Sequence, residues 1–303
     1  MPYFRLSLLR WFDSWAGYDK EPAETDDRID WIRIVPFIFV HLGCIGVTVV
    51  EISWTAVYAC LAMYFTRMFA ITAFYHRYFS HRSFTMRRGV QFMAALLGST
   101  AAQRGPLWWA ANHRHHHRHS DTPDDPHSPR QGGFWHSQLG WIVMKRNFRT
   151  RKDLVKDLMR YPELIFLDRF DWIVPLLTGG AVFGLGHWLA VSAPSLGTDG
   201  PQLLVWGFFV PTVALFHATS AVNSIAHTFG NRRYPNPDNS RNNWMLAVIA
   251  LGEGWHNNHH RFPTCAKQGI AWWEIDVTYY LIRVMACSGL VSGVRVKPDR
   301  RPS

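Results

Sequence analysis

Histidine is the residue type through which this chain can do chemistry. The stretch Asn112-His113-Arg114-His115-His116-His117-Arg118-His119-Ser120-Asp121 contains the pattern H-x-x-H-H at His113, His116 and His117. The pattern returns at His256, His259 and His260, and a third cluster, His76 and His81, precedes both. Positions i, i+3 and i+4 of a helix share a face. Each box is therefore expected to aim three imidazoles at one place. Neutral imidazole is the commonest metal ligand in proteins. Four ligands complete a structural zinc site and three a catalytic one, so eight histidines in three boxes suit two metals held close together. A solvated basic face or a purification tag would not repeat this spacing roughly 140 residues later.

The elements that must position these rings are apolar. The chain has 303 residues, 15 of them Trp, and 32 Lys and Arg against 22 Asp and Glu. A net charge of +10 suits nucleic acid or anionic lipid. Long uncharged runs select the bilayer and exclude nucleic acid. Lys, Arg, Asp and Glu are absent from Ile34 to Val50, Ile52 to Thr66, Trp172 to Thr198 and Gly200 to Asn231. These runs predict four spans, near 33–50, 54–74, 172–192 and 203–225. Val90 to Ala102 is uncharged but too short to span, so it reads as a re-entrant or interfacial helix. Arg67 falls within the second span, where a charge is paired or functional by default, and the sequence names no partner.

The predicted fold is all-α: a polytopic membrane protein with four transmembrane helices and a cytosolic helical cap, from 76–169 and 227–303, holding a histidine-ligated di-metal centre. Residues 1–30 form an N-terminal segment, an amphipathic interfacial stretch followed by an acidic linker, and residues 31–303 form one domain. Segments 1–33, 67–169 and 227–303 hold all 32 basic residues. By the positive-inside rule both termini and all three boxes are then cytoplasmic. Cys44, Cys60, Cys265 and Cys287 make no C-x-x-C pair, which excludes a cysteine zinc site and a disulfide framework. Arg10 and Asp13 interrupt the early apolar residues, so no secretory signal is read.

Four stretches carry a family resemblance: His-Arg-Tyr-Phe-Ser-His-Arg at 76–82, the first H-x-x-H-H followed by Asp125-Pro126-His127, Asn223-Ser-Ile-Ala-His227, and Gly-Glu-Gly-Trp-His-Asn-Asn-His-His at 252–260. With Trp272-Trp273-Glu274-Ile275-Asp276, they resemble the membrane-bound fatty acyl desaturases of the stearoyl-CoA desaturase group, in its bacterial form, over about residues 35–290. The resemblance implies two irons in a cage of nine histidines, His76, His81, His113, His116, His117, His227, His256, His259 and His260, with Asn223 reaching one iron through water. It implies a substrate tunnel at Gln103 and Trp109, and coenzyme A phosphates at Lys145 and Arg146. O2 is then the co-substrate, and the product a cis double bond, at carbon 9 of a saturated C16–C18 acyl-CoA, with an acyl-lipid as the alternative carrier, made at the bacterial inner membrane. Small residues of the second span, Ala59 or Ala62, are expected to close the tunnel.

Some expectations rest on the residues themselves. The chain has no flavin fingerprint and no iron–sulfur cysteine cluster, so electrons must come from a separate donor: a ferredoxin, a rubredoxin or a cytochrome b5-type protein with its reductase. Asp121, Asp125 and Glu253 are candidates to orient imidazoles. His41 and His187 lie away from the site, while His115 and His119 take supporting or surface roles. Two rivals stand beside the desaturase. A di-iron hydroxylase or alkane monooxygenase would use similar boxes, and a histidine-rich metal transporter or sensor would need ionisable residues along its spans.

Overall fold

The computed structural model describes residues 9–16, 26–31 and 33–296. The expectations for residues 1–8, 17–25 and the tail from 297 lie outside the described residues. Among the described residues the regular structure is mostly helix, with a two-residue antiparallel ribbon pairing Thr85–Met86 with Val291–Ser292 and a few isolated bridges. Among the described residues three helices are long and apolar enough to cross a membrane: Trp54–Ser80 (α2), Ile173–Ser192 (α6) and Gly200–Ser224 (α7).

The span expected near 33–50 is shorter than predicted. Helix α1, Val35–Gly43, tightens into a 3-10 turn at Cys44–Thr48. Glycine weakens a helix by about 1 kcal/mol, and Gly43 and Gly46 trade that length for close packing. A Cβ on Gly43 would sit 2.5 Å from the Phe209 ring, and one on Gly46 2.6 Å from Val205, both residues of α7.

Ser53 starts α2, its hydroxyl accepting from the Ala56 N–H at 3.1 Å. From Ala70 to Ser80 the helix widens into π turns. Arg67 finds the partner the sequence did not name: its guanidinium donates to Thr212 Oγ1 on α7 at 2.6 Å and stacks over Phe208. The 13-residue apolar stretch forms α3, Arg88–Ser99, short of a span as expected.

The cap is built on α4, Pro106–His119. Pro106 opens it, where a missing N–H costs nothing. Its cap comes from elsewhere, because Asp168, on α5 (Pro162–Arg169), accepts from the Trp108 N–H at 2.7 Å. That approach requires glycine at 105, since a Cβ there would lie 2.3 Å from the Asp168 Cα. Tyr75, Phe79, Leu107, Leu158 and Leu164 are buried where α2, α4 and α5 meet. Residues 9–16 dock on the same corner, with Trp15 Nε1 donating to Asp168 at 2.9 Å and Trp172 Nε1 to the Phe12 carbonyl at 2.8 Å.

Three short helices complete the cap: α8, Trp244–Ile249; α9, His256–Arg261; and α10, Val277–Cys287. Arg77, fully enclosed near the end of α2, ties them together. It pairs with Glu253 at 3.0 Å and Asp276 at 2.9 Å, and donates to the Ala266 carbonyl at 2.6 Å. Asp276 also caps α10 through the Tyr279 N–H at 3.0 Å.

Candidate metal centre

All nine histidines named above converge, in two adjoining clusters. His76, His81, His113, His117 and His259 form one, and His116, His227, His256 and His260 the other. Within each cluster one ring nitrogen per residue lies within 4.8 Å of all the others. The expectation that each box aims at one place is corrected here. Helix α4 sends its i, i+4 pair, His113 and His117, to the five-ring cluster and His116 to the four-ring cluster. Helix α9 sends His256 and His260 to the four-ring cluster and His259 to the five-ring one. Residues at i+3 and i+4 share a broad face but diverge by about a quarter turn, enough to address two sites a few ångströms apart.

His76 and His81 need a different explanation. Five residues are about 1.4 turns of an α-helix, which would send the two rings to different sides. The π turns close i to i+5, and the His81 N–H donates to the His76 carbonyl at 3.3 Å. The ring centroids are then 5.0 Å apart.

Carboxylates hold four of the rings. Nδ1 of His76 donates to Glu253 at 2.5 Å, His116 to Asp125 at 3.0 Å, His227 to Asp121 at 2.9 Å and His260 to Asp238 at 2.7 Å. All four carboxylates are buried. Asp238 was not anticipated, because nothing in the sequence Pro235-Asn236-Pro237-Asp238 distinguishes it from a turn residue. Fixing Nδ1–H leaves a lone pair on Nε2. The Nε2 atoms of His116 and His260 are buried with no hydrogen-bond partner. Those of His76 and His117 both face Nε2 of His259, at 3.0 and 2.9 Å. A buried acceptor without a donor costs about 1–3 kcal/mol, so convergent lone pairs fit cations and little else.

Electrostatics point the same way. Burial first, and then neighbouring rings, hold His81, His113, His117, His256, His259 and His260 well below the ordinary imidazole range. They are neutral at pH 7, the state that binds metal. Burial would raise the Asp121, Asp125 and Glu253 carboxyls, but the adjoining histidines, joined by Arg77 at Glu253 and by hydrogen bonds to Asp121 and Asp125, outweigh it and each is lowered. All three are ionised acceptors.

A cavity of about 90 Å³ reaches the site, lined by His76, His113, His256, Asn223, Gln103 and Trp109. Trp109 stacks on His113, and Gln103 donates to Thr219 at 2.9 Å. His127, given no role by the sequence reading, lines the same cavity and packs on His116 with ring centroids 4.3 Å apart. Lys145 and Arg146 lie among residues 26–30 instead. Arg146 pairs with Asp27 at 2.8 Å, and the Lys145 N–H donates to the Arg28 carbonyl at 3.0 Å. His115 binds the Asp124 carbonyl at 2.9 Å, and His41 faces His217 at 3.4 Å, both outside the two clusters. Ala59 and Ala62 line neither this cavity nor the larger one described below, and Ala62 is exposed.

The fatty acid desaturase family model matches residues 52–286. An sn-1 stearoyl-lipid 9-desaturase of Anabaena variabilis is 34% identical over 282 residues, 92% of this chain and 98% of the relative. An sn-2 palmitoyl-lipid 9-desaturase of Nostoc sp. (strain 36) is 34% identical over 90% of this chain and 93% of its own length. An acyl-CoA 5-desaturase of Anemone leveillei is 34% identical over 95% of this chain and 89% of the relative. The chain belongs to the fatty acid desaturase family, oxidoreductases of lipid metabolism.

Proposed function

We propose that this protein uses O2 and two irons, one per histidine cluster, to introduce a cis double bond at carbon 9 of a saturated C16–C18 acyl chain. The observation that carries the reading is the juxtaposition of two largely buried histidine clusters with a cavity walled in part by Met68, Ile71, Trp109 and Phe216. His76, His81, His113, His117 and His259 would hold one iron, and His116, His227, His256 and His260 the other, with Asn223 reaching an iron through water. When bound, the irons supply the oxidising power that side chains lack. Two hydrogens leave the chain, and O2 with two further electrons and two protons becomes two waters. The electrons come from a separate ferredoxin, rubredoxin or cytochrome b5-type donor.

The chain's own residues supply position. Glu253, Asp125, Asp121 and Asp238 fix ring tautomers and orientation. Trp109 and Gln103 shape the wall along which the acyl chain lies. Holding one end of the substrate while two neighbouring carbons face the metals is positioning catalysis, in which small displacements cost large factors in rate. We place the protein in a bacterial inner membrane with both termini and the site cytoplasmic. Helix α1 then completes a fourth crossing with α2, α6 and α7. Expression in a host lacking the activity, with double-bond mapping of its fatty acids, tests the reading. A cis olefin at carbon 9 is expected. A hydroxylated chain, or no change in an iron-loaded membrane, would overturn it.

A further inference from the structure

A second cavity, about 610 Å³, lies beside the first. Gln103, Ile142 and Phe216 line both, so the two share a wall beside the metal site. Its size is that of a ligand site. Its walls come from α1, α6 and α7, and are apolar: Val40, Phe183, Leu204, Phe208 and Phe209 among them. Phe39, Leu176 and Phe183 line it and are 63, 63 and 42% exposed, so the cleft opens through the lipid-facing surface of the spans. Part of the lining is basic. Arg10, Arg33 and Arg104 belong to it, against one carboxylate, Asp171, which already pairs with Arg104 at 2.7 Å. Arg33 lies 3.8 Å from Asp30, while Arg10 donates to the Ala16 carbonyl at 3.2 Å.

We infer that the acyl chain enters sideways through this cleft while still esterified in a bilayer glycerolipid, its phosphate against the arginines of the lining, Arg10, Arg33 and Arg104. The inference rests on the desaturase reading and names its substrate class. An apolar groove open to lipid, and divided from the metal cavity only by the side chains of Gln103, Ile142 and Phe216, brings a chain to the site without lifting it into water. The basic part of the lining complements a lipid phosphate. A soluble polyanionic carrier meets the reverse. At Lys145 and Arg146 it would have to displace Asp27 and the backbone of residues 26–30, which bridges Met144 from Ile29. Placing a like charge where a rival ligand would bind is discrimination by repulsion.

Two glycines of α6 make the test. A Cβ on Gly180 or on Gly184 meets nothing within 4 Å, but only Gly180 lines the cleft. Gly180→Trp fills it, and Gly184→Trp is the control. The iron-loaded protein is reconstituted in phosphatidylglycerol vesicles containing a fraction with a mid-chain diazirine, illuminated, and digested for mass spectrometry. Label on residues 175–183 is expected, reduced roughly tenfold in Gly180→Trp, a 1.4 kcal/mol loss of binding, and unchanged in Gly184→Trp. Deuterated stearoyl phosphatidylglycerol and carbon-13 stearoyl-CoA, supplied together with reductant, then compete for desaturation. Olefin in the deuterated chain, lost in Gly180→Trp, supports lateral entry. Equal labelling of the three proteins, or olefin confined to the carbon-13 chain, overturns it. Cleft labelling with no olefin from either carrier would count against the desaturase reading while leaving the lipid site standing.

Discussion

Helices α4 and α9 carry the same H-x-x-H-H spacing and divide it in opposite senses between the two clusters. They are also built differently. Helix α4 has 14 residues, a proline start and a cap from Asp168. Helix α9 has six, too few to persist alone. Side chains of its own box hold it instead. Asn257 accepts from the Arg233 and Tyr234 N–H groups at 2.8 and 2.7 Å and donates to the Ser240 carbonyl at 3.0 Å, while Asn258 donates to Glu274 at 3.0 Å. The four-ring cluster leans on three carboxylates and the five-ring cluster on one. One helix is a scaffold in its own right, and the other is made by its surroundings. Because each serves both clusters, neither cluster can be complete without both helices.

Removing a crossing ring should have the largest effect. His116→Ala and His259→Ala each delete the one ring that a helix sends to the other helix's main cluster. At least a 100-fold loss of olefin is expected, since even outer partners of metal ligands cost about 10–100-fold, with membrane insertion unchanged. Full activity and full iron content in either variant would sink the crossed arrangement.

The carboxylates come next. Asp238→Asn should weaken metal at the four-ring cluster and Glu253→Gln at the five-ring cluster, each by about 10–100-fold. Chelator competition followed by iron counting would show one retained ion in each. Loss of both ions together would mean that the clusters are one thermodynamic unit.

The two supports can then be compared directly. Asn257→Ala strips α9 of its anchors and leaves buried amides unpaired, costing about 1–3 kcal/mol. Gly105→Ala forces a Cβ into Asp168 and should cost about 1–3 kcal/mol through overpacking. Metal should recover more of the lost Tm in Asn257→Ala, where the ion replaces missing anchors, than in Gly105→Ala. Equal recovery would erase the distinction.

The smallest effect is expected at Asp157, which pairs with Arg114 of α4 at 2.7 Å and Arg82 at 2.6 Å on a partly exposed surface. Asp157→Asn should cost about 0.5–1 kcal/mol and leave iron content unchanged. Loss of iron would show that α4 depends on its flank more than its length implies.

Much of this architecture could be read from residue types. Uncharged runs located α2, α6 and α7, because a bilayer tolerates few charges and imposes a length. Eight of the nine rings could be named from the boxes, and His227 from the family resemblance. Their division between clusters could not, since a helical wheel gives directions and not the distance to a second helix. Asp121, Asp125 and Glu253 stood out by proximity to the boxes, but Asp238 lies 22 positions before His260, with α8 between them. The shortness of α1 escaped because hydropathy does not see two glycines packing against Phe209 and Val205. The family resemblance implied an anion site at Lys145 and Arg146, and the acidic segment that covers them lies more than 100 residues earlier in the chain.

The wide turns at the end of α2 make chain length itself a variable. A turn closed i to i+5 holds one residue more than an α-turn, and Arg114 of α4 bonds to the carbonyls of Phe79 and Ser80 at 2.7 and 3.0 Å there. The four residues between His76 and His81 are the right number only while the backbone stays wide. Removing one would leave an i, i+4 pair, which an ordinary α-helix can still present on one face. Adding one would leave a spacing that neither helix form can close. Substitutions within 77–80 therefore test side chains, whereas insertions and deletions test the ruler, and their outcomes should be unequal: a shortened segment retains both rings at the metal site, and a lengthened one loses His81.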